Sequence, residues 1–145
     1  MAKENREVVR RLYEDCLNAG RVEDIPALVS ADFVGPSGER GPDGFRAITL
    51  SLRAAFPDIH FTLEDMAAEG DRVAVRWTWR GTHRGRFRAF AATQKPVTND
   101  GIAFYQVEGG RIVRSWLQTD RLGFLQQIGA VPADLGAPPP ASSGR

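Results

Sequence analysis

The periodicity of apolar residues changes at Pro57, and this change constrains the fold more than any other feature of the chain. Before Pro57, apolar residues recur three or four positions apart, as on the buried stripe of a helix; one such set is Val8, Val9, Leu12, Tyr13, Cys16 and Leu17. After Pro57, apolar and polar residues alternate; one such apolar set is Val73, Val75, Trp77 and Trp79. Helices followed by a run of strands predict an α+β domain.

The helical half of the chain predicts three helices. The first ends at an Asn-Ala-Gly sequence that follows its last apolar position. The second is short, with Asp24 as a candidate cap and Val29 on its apolar edge. A loop rich in glycine and proline covers residues 35–44, and the third helix starts near Phe45 and ends at Pro57.

The alternating half predicts strands near residues 61–64, 73–80, 87–90, 101–107 and 111–119. Glycine-containing turns at residues 69–71 and 108–110 join neighbouring strands as hairpins, so we expect a mostly antiparallel sheet. A curved sheet of this kind, wrapped around the N-terminal helices, forms a cone with an internal cavity. Bulky side chains would line or fill that cavity; the candidates are Trp77, Trp79, Phe104, Tyr105 and Trp116.

The size and composition of the chain fit one globular domain. The 145 residues, 42% of them hydrophobic and 26% charged, predict a single domain over residues 1–132. The tail, residues 133–145, is rich in proline, alanine, serine and glycine, and we expect it to be disordered. The N-terminus is charged and no apolar run reaches the length of a membrane span, so we expect a soluble protein of the cytoplasm. Cys16 is the single cysteine, which fits a reducing compartment.

Nucleotide, metal and nucleic-acid functions are disfavoured. The chain has no glycine-rich phosphate loop, no H-E-x-x-H sequence and no paired C-x-x-C sequence. A non-haem iron site would have to use both histidines, His60 and His83. Residues 80–90 mix arginines with aromatic side chains, as single-strand-binding surfaces do. A formal net charge of +1, however, gives no general electrostatic basis for a nucleic-acid or membrane partner.

Asp120 lies between a predicted strand and a predicted helix, and two roles are open to it. Its carboxylate can accept an unpaired backbone N–H of the first helical turn, which is the ordinary use of aspartate at such a junction. Alternatively, the strand delivers Asp120 into an apolar pocket, where loss of solvation raises the pKa of the carboxyl group and suits it to general acid or base catalysis. In a regular strand, alternate residues share a face, and this set is Ile112, Arg114, Trp116, Gln118 and Asp120. Such a mixed face predicts a pocket for a flat, partly polar ligand.

Two segments carry a family resemblance, "DRVAVRWTWRGTHRG" at residues 71–85 and "VEGGRIVRSWLQTDRLGFLQQIGAV" at residues 107–131. The shared motifs are the G-T-H-x-G turn at residues 81–85, the G-R-I-V strand start at residues 110–113, and D-x-L-G-x-L-x-Q-x-G at residues 120–129. With these motifs the chain resembles the SnoaL-like polyketide cyclase family of the nuclear-transport-factor-2-like fold. The resemblance extends over about residues 5–131.

The resemblance implies an α+β cone with an apolar pocket, usually in a dimer, and an enzyme that uses no metal or organic cofactor. In the antibiotic-pathway cyclases of this family, the carboxylate at the position of Asp120 is the general acid and base of an intramolecular aldol condensation. Those cyclases carry a histidine on the penultimate strand, where this chain has Ala103. His83, Gln118 or Tyr105 would have to compensate for the missing histidine.

The main hypothesis is therefore an enzyme of aromatic polyketide biosynthesis that enolises a polycyclic carbonyl substrate at Asp120. The predicted substrate contacts are the aromatic walls Trp77, Trp79, Tyr105 and Trp116, the polar side chains His83 and Gln118, and the neighbouring Ala103. Ala103 also leaves open the family's anthracycline-type hydroxylases, which work without a bound cofactor alongside a partner reductase. A third hypothesis is a non-catalytic module that holds a hydrophobic ligand. The outer sheet face, with Arg76, Thr78 and Arg80, is the expected contact of a homodimer.

Overall fold

Residues 2–134 are described by a computed structural model, in which most strands follow the helices as the periodicity predicts, but strand β1 lies unpredicted between two helices. The helices are α1 (Ala2–Arg11), α2 (Ile25–Leu28), α3 (Gly41–Ala55) and α4 (Arg121–Gln127), with a π-helix (Leu12–Asn18) that extends α1 and a 3₁₀ turn (Val22–Asp24) before α2. The strands are β1 (Val29–Val34), β2 (His60–Glu69), β3 (Arg72–Thr82), β4 (Pro96–Glu108) and β5 (Arg111–Thr119). From residue 135 onwards, the tail predicted to be disordered lies outside the described residues.

The five strands form one mixed sheet that does not close into a barrel. Its order is β1-β5-β4-β3-β2, in which β1 runs parallel to β5 and the other neighbours are antiparallel. Helix α1 packs against β2 and β3, and α3 packs against β1, so the sheet curves around the helices. The predicted α+β fold is confirmed. Within residues 2–134, no helix is long and apolar enough to cross a membrane.

Two predictions of local structure are wrong. Val29 begins strand β1 instead of extending a helix, with φ −119° and ψ 128°, because pairing with Ile112 of β5 outweighs the local helical pattern. The predicted strand at residues 87–90 is a tight turn, in which the two phenylalanines exchange both backbone hydrogen bonds. Arg88, inside this turn, has a positive φ of 53°, which a strand does not allow.

A β-bulge in β5 reverses the facing of the second half of that strand. Ile112 pairs with Val107, but Arg114 pairs with Gln106, so one extra residue of β5 has no partner. After the bulge, the side chains on the outer face of the sheet are Arg114, Trp116 and Gln118. The prediction that these side chains share a face with Ile112 is therefore wrong, because it assumed a regular strand.

The edge strand β2 is covered by one side chain of the π-helix. Asn18 donates from Nδ2 to the Phe61 carbonyl oxygen at 2.9 Å and accepts from the Phe61 N–H at 2.7 Å. Arg53 of α3 donates to the carbonyl oxygens of Leu17 and Asn18, at 2.7 and 2.8 Å, where the π-helix ends. The Asn18 amide thus satisfies edge groups that would otherwise be free to pair with another chain.

The core between helices and sheet contains a buried tyrosine pair. The hydroxyl oxygens of Tyr13 and Tyr105 lie 2.5 Å apart, and burial raises the pKa of Tyr105 to about 12. Cys16 is buried nearby on the same helical stripe as Tyr13, and burial raises the pKa of its thiol to about 11. Cys16 therefore packs as a small apolar side chain and is not a thiolate at neutral pH.

Candidate functional site

An aromatic interior lies on the helix side of β3. The alternation of this strand turns Trp77 and Trp79 inward, where both are buried. Phe56, directly after α3, is fully buried with its ring centroid 4.8 Å from that of Trp79. Phe124 of α4 approaches the Phe56 ring from a different element, at 6.0 Å. Phe87, in the connection between β3 and β4, completes this group at 5.8 Å from Phe56.

Polar atoms without a hydrogen-bond partner are buried along this interior. Among the described residues they are Trp77 Nε1, His83 Nε2 and Asn99 Oδ1. Trp77 Nε1 lies near the Tyr13 hydroxyl group, which is hydrogen-bonded to Tyr105. This indole N–H therefore lies beside the buried tyrosine pair and not beside the aromatic group. His83 and Asn99 flank the aromatic group, since His83 stacks on Phe56 and Asn99 pairs with Trp79. A buried polar atom left unpaired costs about 1–3 kcal/mol, so a ligand that supplies the partner gains affinity.

His83 is held from both sides where β3 ends. Its backbone N–H donates to the Lys95 carbonyl oxygen, its carbonyl oxygen accepts from Gln94, and its Nδ1 lies 3.0 Å from the Thr93 hydroxyl oxygen. Burial lowers the pKa of the imidazole below its ordinary value, so the ring is neutral at pH 7. The Gly85 backbone opposes this shift of the pKa to a smaller extent, although Nε2 has no partner within hydrogen-bond geometry.

Asn99 is a candidate that the sequence reasoning missed. The residue is 7% exposed, and its Nδ2 donates to Thr119 Oγ1 at 3.0 Å. The Thr119 hydroxyl donates in turn to the Asp100 carbonyl oxygen at 3.0 Å, so the amide orientation is fixed with Oδ1 free. The signal in the sequence was a polar residue in phase with the inward positions of β4, which include Val97 and Ala103.

Asp120 follows Thr119 directly and caps α4. Its Oδ1 accepts the Gly123 N–H at 2.9 Å, and its own N–H donates to the Asp100 carbonyl oxygen at 3.1 Å. The carboxylate lies so close to Gly123 that an added Cβ would be 2.1 Å from Asp120 Oδ2. The capping role is confirmed. The side chain is exposed, so the alternative in which the strand delivers Asp120 into an apolar pocket is wrong for this structure, because the residue lies at the open end of β5, directly after Thr119.

The structure places the other predicted site residues in two separate regions. Trp77, Trp79, Ala103 and Tyr105 are buried on the inner face, Ala103 in register with Val75. The hydroxyl group of Tyr105 is occupied by Tyr13. On the opposite face of the sheet, Trp116 is 39% exposed and Gln118 is also exposed, so the structure does not bring these two to the interior.

A curved sheet around helices, with an aromatic interior and a carboxylate at the end of the last strand, defines an α+β cone protein. The model of the SnoaL-like polyketide cyclase family matches residues 7–128. The chain therefore belongs to the SnoaL-like polyketide cyclase family.

Solved structures of similar proteins agree with this assignment. IdmH from Streptomyces antibioticus, a proposed polyketide cyclase, is 30% identical, with coverage of 86% of this chain and 98% of that one and a TM-score of 0.75. A proposed polyketide cyclase from Acidithiobacillus ferrooxidans is 28% identical, with coverage of 86% and 94% and a TM-score of 0.76. AclR from Streptomyces galilaeus, a proposed hydroxylase, shares the fold at 22% identity, with coverage of 91% and 85% and a TM-score of 0.80. A comparison with curated proteins gives no match.

The cap predicts how substitutions at this junction change stability. Asp120→Ala should lower the free energy of unfolding by about 1 kcal/mol, whereas Asp120→Asn keeps an acceptor oxygen and should change it little. Gly123→Ala should also destabilise, although alanine favours helices, because its methyl group would displace the carboxylate. Urea denaturation measures all three variants. A Gly123→Ala protein more stable than wild type would contradict this placement of the Asp120 side chain.

The buried imidazole predicts a pH dependence of stability. Because the pKa of His83 is lower in the folded than in the unfolded protein, the unfolded protein binds the proton first as pH falls. The contribution of the neutral ring is therefore complete above the unfolded-state pKa of about 6.5 and is lost as pH falls towards the folded-state value. Urea denaturation from about pH 7.5 to about pH 5 should show a decline in the free energy of unfolding, and His83→Gln should reduce this decline. His60→Gln, at an exposed position, is the control. Equal pH profiles for wild type and His83→Gln would contradict the prediction.

Proposed function

We propose that this protein is a cytoplasmic enzyme of aromatic polyketide biosynthesis that enolises a polycyclic carbonyl substrate with Asp120 as general acid and base, without a cofactor. Membership of the SnoaL-like polyketide cyclase family supports the substrate class. The observation that carries the proposal is the junction at the end of β5, where Asp120 follows the Thr119 hydroxyl that fixes the buried Asn99 amide. A carboxylate, a fixed polar atom and an aromatic interior are the groups that this reaction needs.

The proposed reaction has three steps: removal of a proton, formation of a carbon–carbon bond and return of the proton. The Asp120 carboxylate removes a proton from a carbon next to a carbonyl group, which leaves an enolate. The enolate carbon attacks a second carbonyl group of the same molecule and closes a ring. The protonated Asp120 then returns its proton to the new alkoxide, so the enzyme ends the cycle unchanged.

Two polar groups of the interior can orient the substrate. Asn99 Oδ1 can accept a hydrogen bond from a phenolic or enolic hydroxyl group. The Thr93 hydroxyl can donate to His83 Nδ1, because its oxygen already accepts the Lys95 N–H at 3.4 Å. That arrangement leaves the proton on His83 Nε2, where it can donate to a carbonyl oxygen of the substrate. These contacts compensate for the apolar Ala103 in our proposal.

A flat substrate would also replace the water around the Asp120 carboxylate. Asp120 is exposed, and a carboxylate acts as a stronger base when apolar surface replaces its water. A polycyclic ring system that lies over the carboxylate would supply that surface from the substrate side. We therefore expect small carbonyl compounds without fused rings to be poor substrates.

Turnover of a tricyclic anthraquinone-type ester tests the proposal. Mass spectrometry of wild type should detect a ring-closed product that forms without oxygen or reductant, and Asp120→Asn should slow its formation by about 10²–10⁴-fold, the usual contribution of a general base. Because asparagine can still cap α4, this loss would not come from unfolding. Asp100→Asn, at an exposed position one strand away, is the matched control and should retain activity.

The other outcomes of this assay overturn the proposed reaction. Full activity of Asp120→Asn would remove the carboxylate from the mechanism. A product with one added oxygen atom, formed only with oxygen and a reductant, would make the protein a hydroxylase with a partner reductase. Binding of the ester without any product would make it a ligand-binding module.

Homodimerisation through the outer face of the sheet is the second part of the proposal. This face carries an apolar patch of Ile102, Phe104 and Trp116, with the last two rings 5.9 Å apart. The guanidinium groups of Arg72 and Arg114 lie over the Trp116 ring, at 5.7 and 5.1 Å from its centroid. Exposed aromatic surface flanked by arginines is typical of protein interfaces.

Light scattering after size exclusion checks the dimer. Phe104→Glu should convert a dimeric wild type into monomers, because two copies of the charge would face each other or be buried without a partner. Leu50→Glu, an equally exposed apolar position on α3, is the matched control and should leave the dimer intact. A monomeric wild type would contradict this part of the proposal without affecting the reaction.

A further inference from the structure

Strand β3 and the connection from it to β4 carry a local excess of positive charge. From Arg72 to Asn99 the sequence contains seven of the 19 lysines and arginines of the chain and no carboxylate. The formal net charge of the whole chain is only +1, so the excess is local. Residues 84–95, here called the arginine loop, contain three of these arginines within five positions, namely Arg84, Arg86 and Arg88.

The arginine loop is anchored at several points. The N–H groups of Arg84 and Gly85 both donate to the Ala55 carbonyl oxygen at the end of α3, at 2.9 and 3.1 Å. Gly85 permits this approach, because an added Cβ would lie 2.4 Å from the Ala54 carbonyl oxygen. Phe87 packs on Phe124 with ring centroids 5.5 Å apart. The loop therefore presents its arginines from a fixed backbone.

The three arginines of the loop face solvent together. They are exposed, whereas the residues between them, Gly85 and Phe87, are turned inward and partly buried. Arg88 has a left-handed backbone, and its guanidinium lies over the Phe87 ring, 5.4 Å from the ring centroid. In the described part of the chain, no carboxylate lies within ion-pair distance of these arginines.

One carboxylate, Asp58, interacts electrostatically with this loop. Hydrogen bonds from Thr82 are the main cause of the lowered pKa of Asp58, and the positive charge of Arg84 adds a smaller contribution. Asp58 already accepts both the N–H and the hydroxyl of Thr82, so its oxygens are occupied. Within residues 2–134, Arg86 and Arg88 have no carboxylate in a comparable position.

We propose that the arginine loop is a docking surface for an acidic protein partner. Charge complementarity identifies the partner as one with a cluster of aspartates or glutamates, since guanidinium groups bind carboxylates in pairs of hydrogen bonds. The arginines face away from the interior, so they recognise something outside the cone and not a group on the substrate within it. Docking there places the partner beside His83 and the aromatic interior.

A nucleic-acid partner fits this loop less well. Binding of single strands uses exposed aromatic rings on which bases stack. Phe87 and Phe90 are partly buried, and the Arg88 guanidinium lies over the Phe87 ring. The loop therefore offers charge without a free stacking surface, which suits an acidic protein.

The proposal is tested by binding two labelled probes, and it does not depend on the proposed reaction. The probes are a fluorescein-labelled polyglutamate peptide and an oligothymidine strand of equal charge, followed by fluorescence anisotropy at low salt. The loop variant is Arg84→Gln/Arg86→Gln/Arg88→Asn, with asparagine chosen because it tolerates a left-handed backbone. The control variant, Lys3→Gln/Arg6→Gln/Arg46→Gln, removes the same charge from exposed positions elsewhere.

We expect wild type and control to bind the peptide, and the loop variant to bind it at least about tenfold more weakly. Thermal unfolding and circular dichroism of each variant verify that it is folded. Equal losses in both variants would show a general effect of net charge and overturn the proposal, as would no peptide binding by wild type. Tighter binding of oligothymidine, lost with the loop arginines, would assign the surface to nucleic acid instead.

Discussion

The packing around Phe56 connects every part of the molecule that the site depends on. Its ring contacts Trp79 of β3, Phe87 of the arginine loop and Phe124 of α4, and stacks on His83. Pro57, where the periodicity of the chain changes, follows immediately, so the residue next to that change supplies the centre of the interior. Aromatic pairs contribute beyond the area they bury, which makes this cluster a stable base for the strand ends around it.

The end of β5 carries the groups to which we assign the proposed reaction. Thr119 fixes the Asn99 amide and precedes Asp120, whose carboxylate is held against Gly123. Asn99 and Asp120 both have a structural role, and both leave a group available: an acceptor oxygen on Asn99 and an exposed carboxylate on Asp120. One residue can therefore serve the fold and the proposed reaction together, so a stability assay alone does not separate the two roles of Asp120.

Opposite faces of the same sheet differ in exposure and composition. The inner face is aromatic and buried, whereas the outer face combines exposed aromatic rings with arginines at Trp116. The arginine loop adds a third surface at the end of β3, with positive charge directed to solvent. The three surfaces match three kinds of contact in our proposals, namely substrate, second copy and acidic partner.

The sequence by itself determined the α+β class, the common inward face of Trp77 and Trp79 and the cap at Asp120, because these follow from local period and local hydrogen bonding. Family motifs also identified Asp120 as the candidate acid and base. Only the tertiary structure decided the rest. The bulge in β5 moved Trp116 and Gln118 to the outer face, since register depends on the partner strand and one extra residue reverses every later side chain. Asn99 became a candidate only in the structure, because Thr119 of the neighbouring strand fixes its amide and leaves its Oδ1 without a partner.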